Sequence, residues 1–194
     1  MSDQWLKNTQ TALASAEYGK ALKICTTEFL DSITPTTDLL QRLGTIVDQP
    51  IPVGEKESDA SAQHSLVASL LEKAILSIIA TSKPIHMCAM IIELSGGEAA
   101  PKVEPRKPEE ILAVVEHERI AENGPDMEKY YTVVKGAIIT TVDRIKNIID
   151  DLQPPQANLE EFTKTLHLAL NDLHKCITSM TVAFHLLNCE NAGE

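Results

Sequence analysis

Aromatic side chains are scarce in this chain of 194 residues, at 4% of the total. Its core must therefore be assembled from Ile, Leu, Val and Ala. Basic residues are also in the minority. Lys and Arg number 17 against 28 Asp and Glu, a formal net charge of −11, and acid exceeds base in every quarter of the chain. Binding a phosphate backbone requires clustered cations, so no direct nucleic-acid contact is expected. The one basic knot, Lys102 with Arg106 and Lys107, is interrupted by Glu104 within a proline-rich stretch and reads as solvated linker. The opening Met1-Ser2-Asp3-Gln4-Trp5 lacks the cationic n-region and apolar run of a secretory signal, and no Asn-x-Ser/Thr sequon occurs. An intracellular protein, cytoplasmic or nuclear, is expected. Cys25, Cys88, Cys176 and Cys189 are far apart, which in that compartment favours reduced, buried thiols over a disulfide frame.

Catalytic signatures are missing as well. Phosphate-binding glycine loops are absent, and no Ser or Cys carries a local nucleophile signature. Carboxylate-bridged di-iron bundles need Glu-x-x-His repeats, yet none of the six histidines has a Glu three positions earlier. His117-Glu118 lacks the second His of a zinc-protease motif. Catalytic residues, a cofactor and a metal are therefore not expected, and the reading leans away from an enzyme.

What the chain does have is helical periodicity. Leu159, Phe162, Leu166, Ala169, Leu173, Cys176, Met180, Ala183 and Leu187 recur at alternating steps of three and four. Leu170, Ile177 and Phe184 widen this seam, as one long helix with a buried face requires. A second seam runs through Met127, Tyr131, Val134, Ile138, Thr141, Ile145, Ile148 and Leu152. Only Gln153-Pro154-Pro155-Gln156 separates the two, which predicts an antiparallel hairpin. Upstream, a helix is predicted from Asp3 to Ser32, broken by Thr34-Pro35-Thr36 and followed by a short helix over 37–48. Residues 49–62 read as loop. A third helix, 61–81, is apolar nearly all round, the pattern of a helix at the centre of a bundle. Ser82 and Pro84 suit the start of another helix that reaches Leu94 and stops at Gly96-Gly97. Residues 95–108 form a linker between halves 1–94 and 109–194 of one domain, and a short helix is expected over 108–122. No strand alternation is present. The fold class is all-α: a bundle of about six or seven helices with a C-terminal helical hairpin.

Residues 74–92 test the soluble reading, because a membrane span needs about 20 mostly apolar residues. Thr81-Ser82-Lys83-Pro84 interrupts this run. Pro84 removes a helix donor and Lys83 is costly in lipid, so two buried helices, or one kinked helix, are expected in place of a span.

Candidate contact residues are few. His167, His174 and His185 share a stripe of the last helix. Steps of seven and eleven place neighbours about 10 and 16 Å apart, too far to share one ion. His185 and Cys189 at i, i+4 suit two ligands on one face, but nothing supplies the remaining ligands. His86, Met87, Cys88 and Met90 form a soft, adaptable cluster of the kind that fills core gaps or lines a partner groove.

Several segments carry a resemblance: Lys20-Ala21-Leu22-Lys23-Ile24-Cys25, then Asp38-Leu39-Leu40-Gln41-Arg42-Leu43-Gly44-Thr45-Ile46, then Ser69-Leu70-Leu71-Glu72-Lys73-Ala74-Ile75-Leu76. Asn123-Gly124-Pro125-Asp126 leading into residues 133–152, and then residues 159–177, complete the order. This succession resembles the regulatory, non-DNA-binding half of fungal zinc-cluster transcription factors of the aflatoxin-regulator type. The family's paired cysteines after the second segment and its six-cysteine DNA-binding cluster are absent. The resemblance implies a regulatory, partner-binding helical domain without DNA recognition of its own. The expected function is a non-enzymatic protein-interaction domain, binding a protein partner or a second copy through an apolar helix face. The alternative is a small-molecule binder or enzyme with a pocket between the long helices. His86, Met87, Met90, His167, His174 and His185 are the candidate contact residues for either.

Overall fold

The computed structural model describes residues 4–49, 57–97, 127–152 and 158–188, with backbone alone at 57–61, 64, 127–131 and 185–188. The described residues form five helices and no strand: α1 (Gln4–Ala14), α2 (Tyr18–Val47), α3 (Glu57–Leu94), α4 (Met127–Asp151) and α5 (Leu159–Asn188). The all-α expectation holds. Five is fewer than the six or seven expected: the helices predicted over 61–81 and from Ser82 to Leu94 are one helix, α3, and the predicted helix over 108–122 and most of the 95–108 linker lie outside the described residues.

Two predicted helix breaks are absent. Pro35 and Pro84 both lie inside continuous helices of 30 and 38 residues. A proline removes one donor and crowds one preceding carbonyl, but packing on both sides outweighs that local loss. In α2, Phe29, Ile33, Leu40 and Leu43 are buried across the Pro35 turn; in α3, Ile78, Ile85, Ile91 and Ile92 are buried across the Pro84 turn. The actual break near the N-terminus is at residues 15–17. Ala16 adopts a left-handed φ of 54°, its N–H donates to the Leu13 carbonyl at 3.0 Å, and the Glu17 N–H donates to the Ala12 carbonyl at 2.9 Å. This is a Schellman ending built on alanine instead of glycine. The predicted stop at Gly96-Gly97 is present with the same bonds: Gly96 has φ +83°, and the Gly97 N–H donates to the Ile92 carbonyl at 2.9 Å. The Asn158 side chain caps α5 by accepting from the Glu160 N–H at 3.0 Å.

Helices α2, α3, α5 and α4 form a closed ring of four, each packed on the next, and α1 lies against α2. Pairings across the interfaces give the directions. On α2 and α3, Thr26 faces Cys88 and Thr36 faces Ser77, so these helices are antiparallel. The predicted hairpin is present: the Cys176 thiol donates to the Thr141 carbonyl, and Arg144 Nη1 donates to Asp172 at 2.9 Å. Asp48 near the end of α2 pairs with Lys135 near the start of α4. The α3 C-terminus and the α4 N-terminus therefore lie at opposite ends of the bundle, a topology known for four-helix bundles with a long crossover.

One aliphatic core runs through the ring. It contains Leu40, Leu43, Leu71, Ile78, Ile85, Ile145, Ile148, Leu166 and Leu173, with Phe29 as its one fully buried aromatic among the described residues. The two predicted seams supply their share. Val134, Ile138, Thr141, Ile145, Ile148 and Leu152 are all buried, as are Leu166, Ala169, Leu173, Cys176, Met180 and Ala183. Leu159, at the open end, is 48% exposed. A hydroxyl layer crosses the α2–α3 interface at the level of the prolines. Thr36 Oγ1 and Ser77 Oγ are 2.6 Å apart, and Thr81 Oγ1 donates to the Ser77 carbonyl at 2.8 Å. Small side chains at this level allow the close approach.

Candidate functional site: the outer face of α3

In a four-membered ring every helix has an inside and an outside, so α3 is not central. Its inner face, with Val67, Leu71, Ala74, Ile78, Ile85, Cys88 and Ile92, is buried against α2 and α5. Its outer face remains apolar. Leu76 is 59% exposed, Ile79 41%, Met90 55% and Leu94 61%. With Lys83 and His86, both exposed, these residues step by three and four along one stripe. The span from Leu76 to Leu94 is about 27 Å at 1.5 Å per residue. Within residues 65–94 an 18-residue window has a mean hydropathy of 1.6, which makes α3 long and apolar enough to cross a membrane by length and composition. Of that window 44% is buried inside the protein, and Lys83 on the outer face is exposed.

The charge on this face differs from that of the whole chain. Residues 73–92 contain no Asp or Glu. Lys73 and Lys83 are exposed and make no salt bridge among the described residues. Glu72 and Glu93 stand at the two ends. On a chain of net charge −11, the stripe is an apolar strip whose interior carries lysine and no acid.

The six predicted contact residues separate. His86 and Met90 lie on the outer stripe, and Met87 packs at its edge against the core. Desolvation lowers the His86 pKa below the ordinary histidine value. His167 lies elsewhere, in an open depression of about 340 Å³ at the junction of α3 and α5 that is also lined by Gly97, Leu159, Glu160, Thr163 and Lys164. Its Nε2 is buried without a hydrogen-bond partner. His174 is half-buried one turn-set further along α5, and the side chain of His185 lies outside the described residues. The histidine stripe therefore assembles no common site. Among the described residues, no group of three His, Cys, Asp or Glu could hold a metal ion.

Sequence reasoning did not single out Leu76, Ile79 and Leu94 as surface contacts. Their signal was present in the near-uniform apolarity of α3, which was read as centrality. No protein-family model matches the chain, and no curated protein or solved structure is significantly similar to it.

Proposed function

We propose that the protein is a non-enzymatic interaction domain whose outer α3 face docks an acidic amphipathic helix of another protein. One observation carries this reading: α3 is apolar on two opposite faces, and the ring covers only one of them. A partner helix laid along Leu76, Ile79, Met90 and Leu94 would bury that stripe in the helix-in-groove mode. Lys73 and Lys83 favour a partner with flanking Asp or Glu. A second copy of this chain is disfavoured, because it would present the same lysines to these lysines and carries the same net charge of −11. Acidic, apolar helices are a composition found in transcriptional activation segments. This agrees with the resemblance to regulatory halves of zinc-cluster transcription factors and supports a regulatory role inside the cell.

The test is a photo-cross-linking amino acid at Ile79 of the full chain, expressed in its native host, with one at exposed Asp31 on α2 as control. A single recurrent adduct at Ile79, lost in Leu76→Lys/Met90→Lys and weakened by salt, is expected. The double variant should keep the wild-type Tm within about 2 °C, since surface substitutions change stability by about 0.5 kcal/mol or less. Equal cross-linking at the two positions would overturn the proposal. So would a Tm loss of many degrees, which would show that the stripe is buried within the chain itself.

A further inference from the structure

Cys25 on α2 and Cys88 on α3 were expected to be ordinary buried thiols. They are 0% and 2% exposed, and they face each other. The Cys88 sulfur lies in a hollow of α2, 3.9 Å from Thr26 Oγ1 and 4.0 Å from the Leu22 carbonyl oxygen. Leu22 and Thr26 flank Cys25 on that face of α2, so the Cys88 sulfur sits against the turn that carries Cys25. Thr9 Oγ1 on α1 lies 3.5 Å from the Cys25 sulfur on the other side. Cys25 is thus held between a thiol on α3 and a hydroxyl on α1.

The covering of Cys25 is thin. Helix α1 has 11 residues and fully buries only Thr9 and Ala12. Its principal packing partner is α2. A helix that short is marginal by itself in water, and it joins α2 through the left-handed Ala16. Short elements held by few buried contacts open first in native proteins. Lifting α1 would uncover Cys25 and leave Cys88 in its hollow behind it.

We infer that Cys25 and Cys88 form a peroxide-sensitive dithiol, covered by α1, that closes into a disulfide joining α2 to α3. In the first step the Cys25 thiolate attacks one oxygen of a hydroperoxide. An S–O bond forms, the O–O bond breaks, and hydroxide leaves and takes up a proton as water. Cys25 is then a sulfenic acid. In the second step the Cys88 sulfur attacks the Cys25 sulfur. The S–S bond forms, the S–O bond breaks, and the hydroxyl leaves as a second water with the Cys88 proton. Two thiols are oxidised by two electrons and one hydrogen peroxide is reduced to two waters. A dithiol reductant reverses the bond by exchange.

Position assigns these roles: Cys25 is the thiol that touches α1, through Thr9, and Cys88 lies behind it on α3. Hydrogen bonding from Cys88 lowers the Cys25 pKa, with burial opposing, Thr9 assisting and Glu28 opposing. The Cys88 pKa is raised, by its bond to Cys25 and then by burial. A nucleophile that is more acidic than its resolving partner is the arrangement that reactive cysteine pairs use. Cys176 is the internal contrast: burial pushes it up to about 12, and no second cysteine is described beside it. The outer stripe of α3 lies on the opposite side of that helix from Cys88, so the bond would fix α3 without occupying its docking face. The inference does not depend on the proposed function.

The experiment treats the reduced full chain with stoichiometric hydrogen peroxide, in a Cys176→Ser/Cys189→Ser background, and maps peptides by mass spectrometry under non-reducing conditions. An intramolecular Cys25–Cys88 cross-link, reversed by dithiothreitol, is the expected product. Cys88→Ser should leave Cys25 as a sulfenic acid that a dimedone probe captures. Lys7→Gly, an exposed change in α1, should speed the cross-link roughly three- to fivefold by weakening that helix. Circular dichroism before oxidation confirms that each variant is folded. Cys25 remaining reduced, or cross-linking at a rate that Lys7→Gly leaves unchanged, would overturn the inference. The wild-type chain supplies the first of these readings even if a variant misfolds.

Discussion

Two buried threonines should respond to the same substitution with opposite signs. Thr141 on α4 is 0% exposed, and its Oγ1 has no hydrogen-bond partner among the described residues. Thr36 on α2 is also 0% exposed, but its Oγ1 lies 2.6 Å from Ser77 Oγ and 3.4 Å from Thr81 Oγ1. Valine copies the shape of threonine and has a similar helix propensity. Burying a hydroxyl without a partner costs about 1–3 kcal/mol, so Thr141→Val should stabilise the fold by about 1–2 kcal/mol. Thr36→Val instead leaves Ser77 Oγ short of a partner, while Thr81 Oγ1 keeps the Ser77 carbonyl, and should destabilise by about 1 kcal/mol. For a chain of this size 1 kcal/mol moves Tm by about 2–4 °C. Far-UV circular dichroism should therefore show a rise of about 2–8 °C for Thr141→Val and a fall of about 2–4 °C for Thr36→Val. Urea titration should show shifted midpoints with an unchanged slope, the sign of altered stability without altered compactness. The two residues share no partner, so the double variant should fall near the sum. Two shifts of the same sign would refute the reasoning, because they would mean that hydroxyl satisfaction does not decide the outcome.

Other consequences can be checked in the same assays. Pro35 is exposed within the interior of α2, so Pro35→Ala restores a backbone donor there and should stabilise by about 1–3 kcal/mol, read as a higher urea midpoint. Pro84 is buried, so its replacement is expected to gain less. Desolvation lowers the His86 pKa. The unfolded chain, with a histidine pKa of about 6.5, then binds more protons at mildly acidic pH. Stability is lost as pH falls through about 6.5 toward the lowered folded value. His86→Gln should flatten that part of the Tm profile slightly, since the ring is still exposed.

Much of the bundle is legible in the sequence where one face alone is apolar. The steps of three and four give the α4 and α5 seams residue by residue, and from Val134 to Leu152 and from Leu166 to Ala183 those positions are buried. The glycine stop at Gly96-Gly97 was legible because only glycine takes a positive φ without strain. The stop at Ala16 was not, because alanine is the strongest helix former and gives no local sign of a left-handed turn. Pro35 and Pro84 misled for the converse reason. A proline is a strong local signal, yet it removes only one bond, and a helix pinned by buried side chains on both sides of the turn absorbs that loss. The facing of Cys25 and Cys88 had no signal in the sequence at all. They are 63 positions apart, and only the antiparallel register of α2 and α3 brings them together.

The outer stripe of α3 follows from ring geometry. A four-helix ring has no central position, so a helix that is apolar on all sides always leaves one side uncovered. In an ordinary amphipathic bundle that outer side would be charged. The last two helices follow this rule apart from one exposed residue each, Ile139 and Leu168: Lys146, Asp150 and Asp151 are exposed on α4, and Glu160, Glu161 and Lys175 on α5. Helix α3 breaks the rule through residues 73–92, where an acidic chain has no acid. Protein surfaces tolerate single exposed leucines freely, so Leu76 alone would mean little. Four large apolar residues aligned over about 27 Å, with Lys83 between the two pairs and acid only at the ends, Glu72 and Glu93, form a surface of the kind that marks an interaction site. The misreading of α3 as central and the docking proposal therefore arise from one property: this helix has more apolar surface than its position in the ring can bury.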